Sequence, residues 1–240
     1  ALGEAFWGIL RSHNGQRAAY YFQGTAINDP AAAEHRAGAG EIILAQNIYE
    51  QLRADVEVDI LTGGFYRLLD VPGALPATQP LPTPAASTGV MSIFFPQDLL
   101  YDDLRSEFRQ AINLFISLPA LPREVLETFM ESVFELQADY GGLFTRVDFG
   151  DKGCNILFFW GAPLAFENDI ERALNFIIDL RARTDFQFTA GVTYYISRAG
   201  FMGSDLMEEF TCYGWGINLA ARFMLSAPRG QIWLDERVAQ

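Results

Sequence analysis

The chain repeats a segment of its own sequence at an offset of 190 residues, from Gly24 to Gly214. In the first copy the matching residues are Gly24, Ile27, Asn28, Ala31, Gly40, Ile42 and Leu44. In the second copy they are Gly214, Ile217, Asn218, Ala221, Gly230, Ile232 and Leu234. Each copy predicts a strand, a glycine turn, a helix entered through the asparagine, a glycine stop and another strand. A coincidence between two generic strand–helix–strand units is the alternative, and the unbroken register disfavours it.

The repeat predicts two related domains that the chain contains unequally. Residues 71–90 hold five prolines and no periodic apolar pattern, which is typical of a linker. Residues 1–70 then correspond to the C-terminal half of a first domain, and residues 91–240 to a nearly complete second domain. We expect the front half of the first domain to lie upstream of this sequence.

Strand and helix patterns alternate along the second domain, which predicts an α+β fold with a ferredoxin-like core. Periodicity and glycine punctuation predict strands at 91–96, 143–149, 154–160, 186–195 and 207–213, and helices at 99–117, 123–139, 167–183 and after Gly214.

Composition excludes several classes of protein. The formal charge of −13 leaves no basic footprint for nucleic acid. No apolar run reaches the roughly 18 residues that a membrane-spanning helix needs. Cys154 and Cys212 lie in apolar runs and are predicted to be buried thiols, which favours a cytoplasmic location.

Three segments resemble class III adenylyl and guanylyl cyclases: GVTYYISRAGFMGSDLMEEFTCYGWGINLAARFMLSAPRG (191–230), GGLFTRVDFGDKGCNILFFWGAP (141–163) and ENDIERAL (167–174). The GDKG turn with a trailing G-x-P is most similar to the second catalytic domain of soluble, bicarbonate-responsive adenylyl cyclases. The resemblance covers nearly all of 91–240 and, more weakly, 1–70. It implies the class III cyclase fold and conversion of ATP to cyclic AMP and pyrophosphate.

The resemblance assigns the catalytic pair to Asn218 and Arg222. In the family, an asparagine and an arginine four residues apart on a helix position the ribose and stabilise the α-phosphate. A spacing of four places both residues on one helix face. The alternative is that Asn218 caps the helix and Arg222 is an ordinary surface residue. The site would form with the complete first cyclase domain, or with a second copy in a homodimer.

The family's two metal-binding aspartates correspond here to about Gln97 and to Asp151. A carboxamide is a poor ligand for a hard cation beside a carboxylate, so the second domain is predicted to be the metal-poor partner. Asp151 remains a weak metal candidate, with a turn residue as the alternative. The first domain has Ala32 where Arg222 stands. Mg²⁺ or Mn²⁺ is therefore expected to bind mainly to the front half of the first domain.

Base and anion recognition are also implied by the resemblance. Arg146 and Thr211 correspond to the purine-binding positions, and a cation at 146 disfavours GTP. Arg146 departs from the lysine of the family, and the two side chains are not interchangeable. Arg17 aligns with an arginine that holds bicarbonate in a degenerate second pocket, with a plain surface arginine as the alternative.

One rival function remains open, and a second is disfavoured by the sequence. A catalytically inactive cyclase-homology module could sense nucleotides or anions for other domains, and Gln97, Ala32 and Arg146 favour that hypothesis. Asn218 and Arg222 argue against it. Diguanylate cyclases share a similar core, but no G-G-[DE]-E-F-like hairpin occurs in the sequence.

Overall fold

The structure is a computed structural model that describes residues 2–73, 88–96, 99–100, 104–150, 153–204 and 207–239. The chain divides into two compact units. Unit 1 comprises Ala1–Gly8, Tyr21–Ala85 and Phe149–Lys152, and unit 2 comprises Ile9–Tyr20, Ala86–Asp148 and Gly153–Gln240. The linker and domain boundaries drawn from the sequence stay predictions.

The N-terminal part of the chain contains the first copy of the repeat. Its strands and helices are β1 Phe6–Arg11, β2 Ala18–Gln23, α1 Thr25–Glu34, β3 Ile43–Ala45, α2 Gln46–Leu52, β4 Glu57–Ile60 and β5 Phe65–Asp70. β1 and β2 form a two-stranded sheet, and β3, β5 and β4 form an antiparallel sheet in that order.

From residue 88 onward the chain is built around a larger sheet and belongs to unit 2, except for Phe149–Lys152. The elements of this part are α3 Thr88–Phe94, β6 Glu107–Leu118, α4 Arg123–Tyr140, β7 Leu143–Gly150, β8 Gly153–Trp160, α5 Asp169–Ala182, β9 Thr189–Ser204, β10 Met207–Tyr213, α6 Trp215–Ser226, β11 Ile232–Leu234 and α7 Glu236–Ala239. The strand order is β10-β9-β6-β8-β7, and β11 pairs in parallel with β9. This mixed architecture confirms the α+β prediction.

The beginning of the second domain differs from the sequence prediction. Most of the predicted strand at 91–96 lies in the helix α3, which ends at Phe94, and much of the predicted helix at 99–117 is the strand β6. β6 pairs with β8 on one side and β9 on the other, and its middle residues are buried on both faces. A strand buried on both faces shows a continuous apolar run, which cannot be distinguished by periodicity from a buried helix.

Most of the later elements agree with the sequence, although β9 continues to Ser204, beyond the strand predicted at 186–195. α4 buries Phe129 and Val133 as predicted and ends at Gly141, whose φ of 69° only glycine adopts readily. Val125, predicted for the same face, is 39% exposed. Phe134 of α4 and Phe176 of α5 contact aromatic rings of β7 and β8, so these two helices cover one face of the sheet.

The opposite face of the sheet carries α6. The buried residues of α6 are Gly216, Ala220 and Met224, spaced four apart. A Cβ atom added at Gly191 of β9 would lie 2.1 Å from the carbonyl oxygen of Ala220, so only glycine permits this approach. No helix within the described ranges is long and apolar enough to cross a membrane.

Candidate functional site

The helix α6 begins directly after a sharp glycine turn. Gly214 has φ 147° and ends the connection from β10, and Trp215 is the first helical residue. Asn218 is therefore the fourth residue of α6. The prediction that the chain enters the helix through the asparagine is wrong, because Gly214 takes the cap position. The alternative role of Asn218 as a helix cap is excluded by the same observation.

Asn218 and Arg222 lie on the exposed side of α6, one turn apart. Residues four apart on a helix are neighbours, at roughly 5–6 Å between Cβ atoms. Within the described part of the chain, neither side chain forms a hydrogen bond or an ion pair. The structure thus places both polar groups where a ligand can reach them, while the opposite side of the helix is fixed to the sheet.

Trp215 is a neighbour of this pair that the sequence analysis missed. It is 60% exposed, and the guanidinium carbon of Arg222 lies 6.0 Å from its ring centroid. That distance is at the limit of a cation–π contact. The spacing of three and seven residues from Trp215 to Asn218 and Arg222 would have indicated a shared helix face.

The first copy of the repeat has the same local backbone. Gly24 has φ 119°, and α1 begins at Thr25, so Asn28 is the fourth residue of its helix, as Asn218 is of α6. Ala32 then occupies the eighth position, which Arg222 holds in α6. Asn28 is exposed like Asn218. The two copies therefore agree in helical position and differ at the arginine.

Arg146 lies in an ion-pair cluster on β7. Its Nη1 atom donates to both carboxylate oxygens of Glu209 at 2.9 and 2.7 Å, and its Nε atom lies 2.5 Å from Oδ2 of Asp148. Sequence reasoning missed both acids. Glu209 belongs to β10 and stands two residues before Thr211, so the structure brings Arg146 to the strand that carries Thr211.

Thr211 itself is half-buried on β10, opposite Gly200 of β9. Its hydroxyl donates to the carbonyl oxygen of Cys212 at 3.4 Å, which is a long hydrogen bond. Thr211, Asn218 and Arg222 follow one another on a single strand–turn–helix connection. The assignment of Arg146 and Thr211 to base recognition stays a prediction.

Arg17 lies at the turn between β1 and β2. Its backbone N–H donates to the hydroxyl of Ser12 at 2.9 Å, and its carbonyl oxygen accepts from the N–H of Ser12 at 2.8 Å. Burial lowers the pKa of the guanidinium, and no carboxylate among the described residues pairs with it. The half-buried cation is compatible with an anion ligand.

The metal-binding positions inferred from the sequence, Gln97 and Asp151, lie outside the described residues. Among the residues that the structure describes, no three His, Cys, Asp or Glu side chains come together as a metal site. The assignment of Gln97 depends on a predicted strand at 91–96, and most of that segment is helical. β6 pairs with β8, and its last residues, Ser117 and Leu118, face Asn155 and Cys154. Neither Ser117 nor Leu118 carries a carboxylate.

A cleft of about 240 Å³ lies elsewhere in unit 2 and is lined by Arg109, Gln110, Ile112, Gly161, Ala165, Phe166, Glu167, Asp169, Ile170 and Tyr194. It contains none of the predicted site residues. Its volume is below the roughly 300–1,000 Å³ of pockets that hold drug-sized ligands. We therefore do not assign the nucleotide to it.

Three solved cyclase structures illustrate what this chain is similar to. A bacterial light-regulated adenylyl cyclase matches 63% of this chain and 52% of its own chain, with 16% identity and a TM-score of 0.50. The guanylyl cyclase Cya2 matches 56% of this chain and 79% of its own, with 18% identity and a TM-score of 0.49. The adenylyl cyclase CyaB from P. aeruginosa matches 56% of this chain and 81% of its own, with 18% identity and a TM-score of 0.48.

The chain has the fold of class III cyclase catalytic domains. This confirms the fold class that the sequence predicted. No protein-family model and no curated protein matches the chain in sequence. The similarity to bicarbonate-responsive cyclases and the division into domain halves remain predictions.

Proposed function

We propose that this chain is part of an adenylyl cyclase and supplies the half-site that positions ATP and stabilises the transition state. The observation that carries the proposal is the placement of Asn218 and Arg222. They are one helical turn apart on the exposed side of α6, and the other side of that helix is packed against the sheet without room for a Cβ at Gly191.

The two side chains suit different parts of the reaction. Cyclisation is an in-line attack by the ribose 3′-oxygen on the α-phosphorus, and negative charge grows on the phosphate oxygens. The Arg222 guanidinium presents a fork of donors that matches those oxygens. The Asn218 amide offers both a donor and an acceptor to the ribose. Both groups are mounted on a rigid element, which holds them ready for the transition state.

Base selection is assigned to Arg146 of β7 and to Thr211 of β10, the strand before the helix. Arg146 offers only hydrogen-bond donors and a positive charge, so it cannot accept from the N1–H and the amino group of guanine. Thr211 can accept or donate a hydrogen bond. ATP is therefore the proposed substrate. Glu209 and Asp148 hold the Arg146 guanidinium in place, which leaves its remaining N–H groups to meet the base.

The divalent metal is proposed to bind outside the described residues. The family resemblance implies Mg²⁺ or Mn²⁺, which would absorb phosphate charge when bound. The described residues offer no cluster of ligands for it, so they do not fit the ion by themselves. We propose that the complete first cyclase domain, or a second copy of the chain, supplies the carboxylates, and that Arg17 belongs to a regulatory bicarbonate site.

A second candidate is a catalytically inactive cyclase module with a regulatory role. The ion pairs of Arg146 favour it, because two carboxylates neutralise the cation that would otherwise meet the purine. In this alternative, nucleotide or anion binding would act on other domains without turnover.

The full-length protein tests the proposal. Purified protein is incubated with ATP or GTP and with Mg²⁺ or Mn²⁺, and cyclic nucleotide and pyrophosphate are measured. We expect cyclic AMP to form faster than cyclic GMP, and EDTA to abolish the activity. Binding of ATP without any cyclic product would favour the regulatory alternative. Faster turnover of GTP would refute the base assignment.

A further inference from the structure

A chain of buried polar groups connects β6 and β9 to the first turn of α6. The Nδ2 atom of Asn113 donates to the hydroxyl of Thr193 at 3.3 Å and to the carbonyl oxygen of Ala111 at 3.4 Å. The Thr193 hydroxyl in turn donates to the carbonyl oxygen of Gly216 at 2.8 Å. Asn113 and Thr193 face each other in the β6–β9 register and are both 0% exposed. Gly216 is the second residue of α6.

The two backbone carbonyl groups at the ends of this chain determine which atom donates in each hydrogen bond. The carbonyl oxygens of Gly216 and Ala111 can only accept, so the Thr193 proton points to Gly216 and the Asn113 amide nitrogen faces Ala111. The amide oxygen of Asn113 is then left buried with no partner among the described residues. An unsatisfied buried acceptor costs stability. Compared with an apolar side chain, the Asn113 amide therefore orients the hydrogen bonds of this group and does not add stability.

The start of α6 also touches this group sterically. A Cβ atom added at Gly216 would lie 3.1 Å from Nδ2 of Asn113 and 2.6 Å from Cβ of Tyr195. The first turn of the helix is thus in direct contact with the sheet through Gly216. Asn218 follows two residues later, and Arg222 one turn beyond it.

We propose that Asn113 and Thr193 are positioning residues, which set the rotation and height of the first turn of α6 and through it the placement of Asn218 and Arg222. This inference rests on the proposed function. Both side chains lie under the helix, on the face opposite to the exposed pair, so they act through α6 and not on the nucleotide.

The decisive variant is Thr193→Val, which keeps the shape of the side chain and removes its hydroxyl. In the full-length protein we expect kcat for ATP to fall about tenfold or more, because small displacements of catalytic groups are costly. KM should stay within about twofold, since the loss falls mainly on the transition state. Thr193→Ser keeps the hydroxyl and should retain most of kcat.

Thr145→Val is the matched control. The Thr145 hydroxyl donates to the carbonyl oxygen of Leu157 at 3.1 Å in the same sheet, between β7 and β8. Its loss should lower the melting temperature comparably and leave kcat unchanged. In a background with both Asn218→Ala and Arg222→Ala, Thr193→Val should cost little further kcat. Unchanged kcat in Thr193→Val, or the same fold-loss in the wild-type and in that background, would overturn the proposal.

Amide hydrogen exchange provides a readout that does not need activity. The amides of residues 219–222 donate to carbonyl oxygens of the first turn of α6. Thr193→Val should accelerate their exchange, and Thr145→Val should not. If the wild-type protein makes no cyclic nucleotide, the proposed function fails, and the exchange data alone decide the positioning role. Unchanged protection of 219–222 in Thr193→Val would then overturn it.

Discussion

Arg146 of β7 and Glu209 of β10 form an ion pair at 2.7 Å, although their strands stand at opposite ends of the order β10-β9-β6-β8-β7. Leu143 of β7 and Phe210 of β10 also share one buried apolar cluster. The curvature of the sheet therefore brings its two outermost strands together, and a cation and a carboxylate meet beside Thr211.

The first prediction concerns this ion pair and base selection. Arg146→Ala should lower the preference for ATP over GTP about tenfold, because a hydrogen bond from a charged donor contributes roughly 1.5–3 kcal/mol. The free energy of unfolding should change by less than about 1 kcal/mol, since the Arg146 side chain is 44% exposed. The measurements are kcat/KM for both nucleotides and urea denaturation.

Arg123→Ala is the control for this variant. It removes another exposed arginine, which pairs with Glu127 on α4. Its nucleotide preference should equal that of the wild type. An unchanged ATP preference in Arg146→Ala would remove Arg146 from the base site.

The second prediction concerns Arg222. If its guanidinium stabilises charge on the α-phosphate, Arg222→Ala should lower kcat by about 10²–10³ with little change in KM. Arg222→Lys should recover only part of the loss, because an ammonium group cannot form the bidentate fork. The melting temperature should hardly change, as the residue is exposed. Steady-state kinetics and thermal melting of the full-length protein check these outcomes.

Arg181→Ala serves as the control for Arg222, since Arg181 is an exposed arginine on α5. It should retain wild-type kcat. A fully active Arg222→Ala protein would contradict the assignment of the half-site, and so would a protein that loses activity only because it unfolds.

The third prediction concerns the contact between α6 and β9. Gly191→Ala would place a methyl group 2.1 Å from the Ala220 carbonyl oxygen, so the helix must shift. The free energy of unfolding should fall by about 1–3 kcal/mol or more, the usual cost of overpacking. Gly89→Ala, where nothing lies within 4 Å of the added Cβ, is the control. Equal stability of the two variants in urea would show that α6 does not pack as described.

The fourth prediction concerns the buried thiols. Burial raises the pKa of Cys154 and Cys212 to about 12. Above pH 9 the unfolded chain releases these protons and the folded protein keeps them, so rising pH favours unfolding. Each thiol should lower the free energy of unfolding by about 1.4 kcal/mol per pH unit between about 9 and 12.

Urea denaturation across this pH range measures the slope. A variant with both Cys154→Ala and Cys212→Ala should show a shallower decline than the wild type. Ellman's reagent offers a second check, because both thiols should react slowly at pH 8 until urea unfolds the chain. Rapid reaction in the native protein would contradict their burial.

The sequence predicted the features that depend on local chemistry. The glycine at 141 ends α4 because its backbone needs a positive φ, and the strands β7 and β8 lie where the sequence on either side of the GDKG segment predicts them. The spacing of Asn218 and Arg222 was sufficient to place them on one helix face. Such features require only a few neighbouring residues, so they can be derived without knowledge of the tertiary structure.

Features that depend on distant neighbours were missed. The sequence predicts a helix where β6 lies, because the burial of β6 comes from β8 and β9, which flank it only in the folded sheet. The partner of Arg146 is 63 residues away in the chain, on the opposite edge strand. Nothing in the local sequence of β7 indicates that β10 curves back to meet it.

The close contact between α6 and β9 makes one side of α6 intolerant of substitution and leaves the other side tolerant of it. Toward the sheet, Gly191 and Gly216 leave no volume for even one methyl group, so sequence change there must be matched by movement of the backbone. Toward solvent, Trp215, Asn218 and Arg222 can be exchanged without disturbing the fold. New chemistry can therefore be designed on this scaffold by substituting these three exposed residues, provided that Gly191 and Gly216 remain glycine.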